Sequence, residues 1–157
     1  YLLTKLISKI KINDKKIKKI INHEKKLKLD DYNTYKKFFK KINILKKNLN
    51  IFIDKQTKLN KIIHGYGAST KGNTLLQFYK INHNKIKYIA DRNPDKFGLK
   101  TPGTNIQIIS EKISRSYKPD FYLVLPWHFK DEILKREKII RKKGTKFIFP
   151  LPTIKIY

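Results

Sequence analysis

One stretch constrains this chain more than any other. It runs Gly65-Tyr66-Gly67-Ala68-Ser69-Thr70-Lys71-Gly72-Asn73-Thr74-Leu75-Leu76, follows an apolar, β-branched run ending in Ile62-Ile63, and opens an apolar helical pattern. Strand, glycine-rich turn and helix start, in that order, make a βα unit. Glycine lets the backbone turn tightly and approach an anion, and the new helix offers unpaired N–H groups at the positive end of its dipole. Ser69, Thr70 and Lys71 add hydroxyl donors and a point charge. The turn therefore reads either as a phosphate cradle or as a tight structural connection.

Its departures from standard patterns narrow the chemistry. A dinucleotide fingerprint requires G-x-G-x-x-G; Gly65 and Gly67 fit, but Thr70 stands in the third glycine's place and the next glycine is Gly72. A phosphate-binding P-loop requires G-x-x-x-x-G-K-[ST]; Gly67 and Gly72 have that spacing, but Asn73 replaces the lysine. Gly67-Ala68-Ser69-Thr70-Lys71 is not the G-x-S-x-G of a hydrolase nucleophile.

From Asn60 onward the pattern alternates between strand and helix. Strands are expected at 62–66, 86–90, 106–109, 121–125 and 147–149, with an edge at 154–157; helices are expected at 70–79 and 129–142. Continuous apolar strands alternating with helices predict an α/β fold: a Rossmann-like, mostly parallel sheet flanked by helices. Before it, residues 14–28 read as a helix capped by Asn13 or Asp14, with Ile17, Ile20, Ile21 and Leu27 on one face. Asp30 and Asp31 begin a longer helix carrying Tyr35, Phe38, Phe39, Ile42, Leu45, Leu49 and Phe52 at helical spacing. That stripe reads as docking on the sheet, or as a basic amphipathic helix on a membrane or nucleic acid. The organisation expected is a helical extension over 1–59 and a sheet domain over 60–157.

In such sheets ligands sit outside the carboxyl ends of the strands. Three motifs fall there: Gly65 to Asn73, Asp91 to Lys96, and Pro126 to His128. Asp91 suits a carboxylate accepting from a ribose or sugar hydroxyl, or a turn cap, since Asp91-Arg92-Asn93-Pro94 is turn chemistry. Lys96 suits a diphosphate. Trp127, the sole tryptophan, is either a stacking surface with His128 beside it or a core residue. Thr101-Pro102-Gly103-Thr104 is a turn signal.

Composition removes several function classes. The chain has no cysteine, which excludes disulfides, thiolate catalysis and cysteine zinc sites and is compatible with a reducing cytoplasm. His23, His64, His83 and His128 lack ligand spacing, so no metal site is expected. No apolar run approaches the ~18 residues of a membrane span. Lys5, Lys9 and Lys11 interrupt the apolar residues a signal peptide would need. The formal charge of +26 suggests nucleic acid, but only Arg92, Arg115, Arg136 and Arg141 are arginine, the residue that reads bases. Lysine, isoleucine and asparagine share A/T-rich codons, so biased base composition is favoured over a basic nucleic-acid-binding domain as the source of the charge. The near-fingerprint turn and Asp91 leave a stand-alone nucleotide- or dinucleotide-binding Rossmann-like module as an alternative. Methionine is absent even at position 1, from which a fragment of something longer is expected.

An ordered set of motifs supplies a resemblance. Gly65-Tyr66-Gly67-Ala68-x-x-Lys71-Gly72-Asn73-Thr74-Leu75-Leu76 is followed by Ile89-Ala90-Asp91-Arg92-Asn93-Pro94-x-Lys96-x-Gly98 and Thr101-Pro102-Gly103-Thr104-x-Ile106-x-Ile108. Then come Pro119-Asp120-x-x-Leu123-Val124-Leu125-Pro126-Trp127-His128-Phe129, Glu132-Ile133, and Gly144-x-Lys146-Phe147-Ile148-x-Pro150-x-Pro152. The set resembles the C-terminal domain of the nucleotide-sugar C-methyltransferases, S-adenosylmethionine-dependent enzymes of deoxysugar biosynthesis that methylate a sugar-ring carbon. The resemblance implies a domain that helps hold a nucleotide-sugar against a separate methyltransferase domain. A protein base removes a proton beside a keto group and the resulting carbanion or enolate takes the methyl group. The zinc cysteines, the S-adenosylmethionine motif and the catalytic His/Tyr segment of that family belong to other domains. This chain is therefore expected to bind neither zinc nor S-adenosylmethionine and to be inactive alone. The substrate-binding residues the resemblance implies are the turn from Gly65 to Asn73 (Gly65, Tyr66, Gly67, Ala68, Ser69, Thr70, Lys71, Gly72, Asn73), then Asp91, Asn93, Pro94 and Lys96, then Pro102, Gly103 and Thr104, and finally Pro126, Trp127 and His128.

Overall fold

A computed structural model describes residues 14–157. The first thirteen residues, Asn13 among them as an expected helix cap, lie outside the described residues. The described residues divide into two compact units, one ending at Asn43 and the other running from Ile44 to Tyr157.

The first unit holds helix α1 (Asp14–Lys26) and the beginning of α2 (Tyr32–Lys58). Asp31 caps α2, its Oδ1 accepting from the Asn33 N–H at 2.8 Å. The aromatic stripe here is on the surface: Tyr35, Phe38 and Phe39 are all exposed.

The second unit is the sheet domain. Its elements in order are β1 (Ile63–Tyr66), α3 (Thr70–Tyr79), β2 (Tyr88–Asp91), β3 (Gln107–Ser110), α4 (Glu111–Ser116), β4 (Phe121–Val124), α5 (Lys130–Arg136), α6 (Lys138–Lys142), β5 (Lys146–Phe149) and β6 (Lys155–Ile156). Short 3-10 turns occupy Pro94–Lys96 and Trp127–Phe129. The strands lie in the order β3-β2-β1-β4-β5-β6. Strands β1 to β5 are parallel, and only β6 is antiparallel. This is the doubly wound order, with its switch point between β1 and β4.

Alternation along the strands explains why both faces are apolar. His64 and Tyr66 of β1 point to one face, where Tyr66 packs with Ala90, Tyr122, Val124, Ile133, Phe147 and Phe149. Ile63 and Gly65 point to the other. There the C-terminal half of α2 docks, burying Leu49 and Ile53 completely and setting Phe52 edge-on to Phe121 at 5.3 Å. Polar ties fix that half: Asn50 Nδ2 donates to the Tyr79 carbonyl at 2.9 Å, and Lys85 Nζ reaches Asp54 Oδ1 at 2.6 Å.

Two elements differ from the sequence expectation. The helix expected over 129–142 breaks at Glu137, whose backbone departs from helical values (φ −92°, ψ 20°). The break follows from what the Glu137 side chain holds inside the domain, described below. A short helix, α4, occupies 111–116 where none was expected, started by the Ser110 hydroxyl accepting from the Ile113 N–H at 3.2 Å.

Candidate functional site

The carboxyl ends of β1, β2, β3 and β4 open into one cleft of about 370 Å³. Its walls are Tyr66, Gly67, Ala68 and Ser69 after β1, Asp91, Arg92 and Lys96 after β2, and Glu111 after β3. Pro126 after β4 and Phe129, Glu132, Ile133 and Arg136 at α5 complete it.

The glycine turn is built by packing. Gly67 adopts φ +79°, and a Cβ there would lie 2.8 Å from Pro126. A Cβ on Gly65 would meet Ile89 at 2.7 Å, and one on Gly72 would meet Leu125 Cβ at 2.4 Å. Gly72 thus does, two places late, what the third glycine of the dinucleotide fingerprint does: it lets helix and sheet approach closely. Ser69 caps α3, its hydroxyl accepting from the Gly72 N–H at 3.1 Å. The N–H groups of Thr70 and Lys71 have no acceptor among the described residues.

Asp91 is committed to holding loops together. It is buried; Oδ1 accepts from the Asn93 N–H at 2.8 Å, and Oδ2 from the Ala68 N–H at 2.7 Å. Lys96 Nζ lies 3.5 Å from Oδ2 and donates to the Ala68 carbonyl at 2.9 Å. Asp91 and Lys96 therefore clamp the end of β2 to the glycine turn. Asn93 in turn accepts from the Asp95 N–H at 3.0 Å, with Pro94 opening the 3-10 turn.

Behind the cleft lies a charged network with no signature in the primary structure, since it joins residues far apart in the chain. Buried Glu137 accepts from the Tyr66 hydroxyl at 2.7 Å, from Arg115 Nη2 at 3.1 Å, and from Arg136 Nε at 3.1 Å. Glu111 accepts from Arg115 at 3.0 Å and from Arg136 at 3.2 Å. Arg136 Nη2 also bonds the Tyr66 hydroxyl. Burial, and then the hydrogen bond to Glu137, push the Tyr66 phenol well above its ordinary range, so it stays protonated. Three of the four arginines sit in or beside this cleft although lysine supplies nearly all other cations. A planar guanidinium that bonds two carboxylates at once is not replaceable by lysine.

The remaining candidates divide. Thr70, Lys71, Gly72 and Asn73 continue the turn into α3 and do not line the cleft. Pro102, Gly103 and Thr104 lie elsewhere: Gln77 Nε2 donates to the Pro102 carbonyl at 3.1 Å, Gly103 packs on Gln77, and the Thr104 hydroxyl meets Thr101 at 2.6 Å. Gln77 belongs to the C-terminal turns of α3, opposite the helix end that faces the cleft. Pro126 lines the cleft, whereas Trp127 packs against the core beneath it and the ring of exposed His128 lies tilted against Phe129, centroids 4.2 Å apart. The cleft residues that the sequence reading missed are Arg92, Glu111, Phe129, Glu132, Ile133 and Arg136. Of these, Phe129, Glu132, Ile133 and Arg136 were legible as a set, spaced i, i+3, i+4, i+7 on one helical face.

Among the described residues no group of three or more His, Asp or Glu side chains is placed to hold a metal ion. No helix among them is long and apolar enough to cross a membrane.

The fold is a doubly wound α/β domain with a cleft at the carboxyl ends of its strands. Residues 3–152 match the C-methyltransferase C-terminal domain family, and the chain belongs to that family. It is similar to the C-methyltransferase NovU of Streptomyces niveus, with 38% identity over 92 residues. Those residues are 59% of this chain but 22% of that relative, so the match covers less than a quarter of the relative's length.

Proposed function

We propose that this domain binds the nucleotide-sugar of an S-adenosylmethionine-dependent C-methyltransferase in the cleft at the carboxyl ends of β1 to β4. Other domains, in the same or a separate chain, supply the methyl donor site, the zinc site and the proton-abstracting base. One observation carries this reading: Arg92, which has no hydrogen-bond or ion-pair partner among the described residues, stands in the cleft at the switch point beside the glycine turn. A diphosphate needs a charged donor of that kind, and a sugar needs the polar and apolar walls beside it.

The same geometry weighs against a stand-alone dinucleotide-binding module. Such a site uses the carboxylate after the second strand to accept from ribose, and here Asp91 already accepts three protein donors.

Calorimetric titration with thymidine- and uridine-diphosphate sugars at physiological salt tests the reading, with pyrophosphate as the control for so basic a surface. Binding stronger than pyrophosphate, weakened about tenfold in Arg92→Ala, is the expected result. Binding no stronger than pyrophosphate overturns it.

A further inference from the structure

Most polar side chains lining the cleft are already occupied. Asp91 and Lys96 clamp the glycine turn, while Glu111, Arg136 and Tyr66 belong to the charged network. Glu132 differs. It lines the cleft, it is exposed, and it has no hydrogen-bond or ion-pair partner among the described residues. Its natural partner on α5 is Arg136, four residues on, in the favourable Glu-to-Arg order. Arg136 is instead drawn to Glu111 and Glu137. The network thus leaves one carboxylate free beside a cleft that also holds a free guanidinium, Arg92.

An ionised carboxylate only accepts hydrogen bonds, so it selects ligand groups that donate. Just before α5, at the end of the 3-10 turn, Phe129 stands 52% exposed at the cleft wall, its ring tilted against His128. A flat apolar ring beside a hydrogen-bond acceptor matches a sugar, whose ring face carries C–H groups and whose rim carries hydroxyls.

We propose that Glu132 and Phe129 form the sugar-recognition subsite of this domain, with Glu132 accepting from sugar hydroxyls and Phe129 stacking on the ring face. The role that the sequence suggested for Asp91 passes to Glu132, and that suggested for Trp127 passes to Phe129. This deepens, and rests on, the nucleotide-sugar reading above.

The test compares thymidine diphosphate with thymidine-diphosphate-glucose on the full chain, by calorimetry, in the unaltered protein, Glu132→Ala and a Lys135→Ala control on α5 outside the cleft. The unaltered protein binds the sugar nucleotide more tightly than the nucleotide. Glu132→Ala loses roughly tenfold for the sugar nucleotide and nothing for the nucleotide, and Lys135→Ala changes neither. An equal loss for both ligands assigns Glu132 to the base or the nucleotide and overturns the proposal, as does no loss for either. If the unaltered protein binds both no better than pyrophosphate, the nucleotide-sugar reading itself falls. If it does bind and only the Glu132 effect is missing, that reading stands and this one falls.

Discussion

At Gly72 a single hydrogen decides how closely α3 lies on the sheet. A Cβ there would sit 2.4 Å from Leu125 Cβ, a contact neither backbone can accommodate without moving. Gly72→Ala is expected to destabilise by about 2–3 kcal/mol, read as a lower urea midpoint. Gly98→Ala, which meets nothing within 4 Å but keeps φ +82°, isolates the cost of the backbone conformation alone. His64 sets a pH limit. Its Nδ1 lies 2.8 Å from the Ser114 hydroxyl among the rings of Tyr88, Tyr117 and Tyr122. Burial lowers its pKa from 6.5 to about 4. The folded state thus takes up the proton less readily than the unfolded one. Its contribution is intact above pH 6.5 and is lost as pH falls through about 4, at no more than ~1.4 kcal/mol per pH unit. Urea midpoints at pH 7 and pH 5 should therefore differ more for the unaltered protein than for His64→Gln, in which the carboxylates still titrate.

Among the elements, α2 carries the clearest contrast. Its apolar stripe runs on at helical spacing, yet Leu49 is wholly buried while Phe38 is 61% exposed. Leu49→Ala is expected to cost about 2–5 kcal/mol, and Phe38→Ala no more than ~0.5 kcal/mol; chemical denaturation of the two variants checks this. Equal effects would mean that both halves of the helix pack alike. The break between α5 and α6 has a similar cause. It turns Glu137 inward, where one carboxylate pairs with both Arg115 and Arg136, which Glu111 also holds, and ties them to Tyr66 of β1. A continuous helical pattern does not report such a break, because the apolar rhythm of Ile133, Leu134 and Ile140 runs across it.

For the molecule as a whole, the charge of +26 is spread over lysines while three of the four arginines gather in or beside the cleft. Lysine attracts phosphate without reading bases, so DNA binding should be counterion release alone. Affinity for a labelled duplex, followed by fluorescence anisotropy, should fall roughly a thousandfold or more between about 50 and 200 mM salt. Affinity that survives at the higher salt would restore the nucleic-acid reading. The uncharged character of the cleft agrees with this, since Asp91, Glu111 and Glu132 balance Arg92, Lys96 and Arg136 within it.

By itself the sequence determined what depends on near neighbours. The strand–glycine–helix order, the span of α3 and the apolar strands follow from local periodicity, turn chemistry and capping; the family was legible through a resemblance of ordered motifs, which the family match bears out. Even the ambiguity at Asp91 was local, because a turn cap and a ribose acceptor use the same residue type at the same place. Only the tertiary structure decided which polar groups are taken and which are free. Asp91 is occupied because Ala68 and Lys96 arrive beside it from other segments; Glu132 is free because Glu111 and Glu137 hold the arginine it would otherwise pair with. The loop Pro102–Thr104 left the cleft for the same kind of reason, packing on Gln77 across the length of α3. A hydrogen bond or ion pair is settled by distance through space, and residues such as Tyr66 and Glu137 become neighbours only when the sheet is assembled.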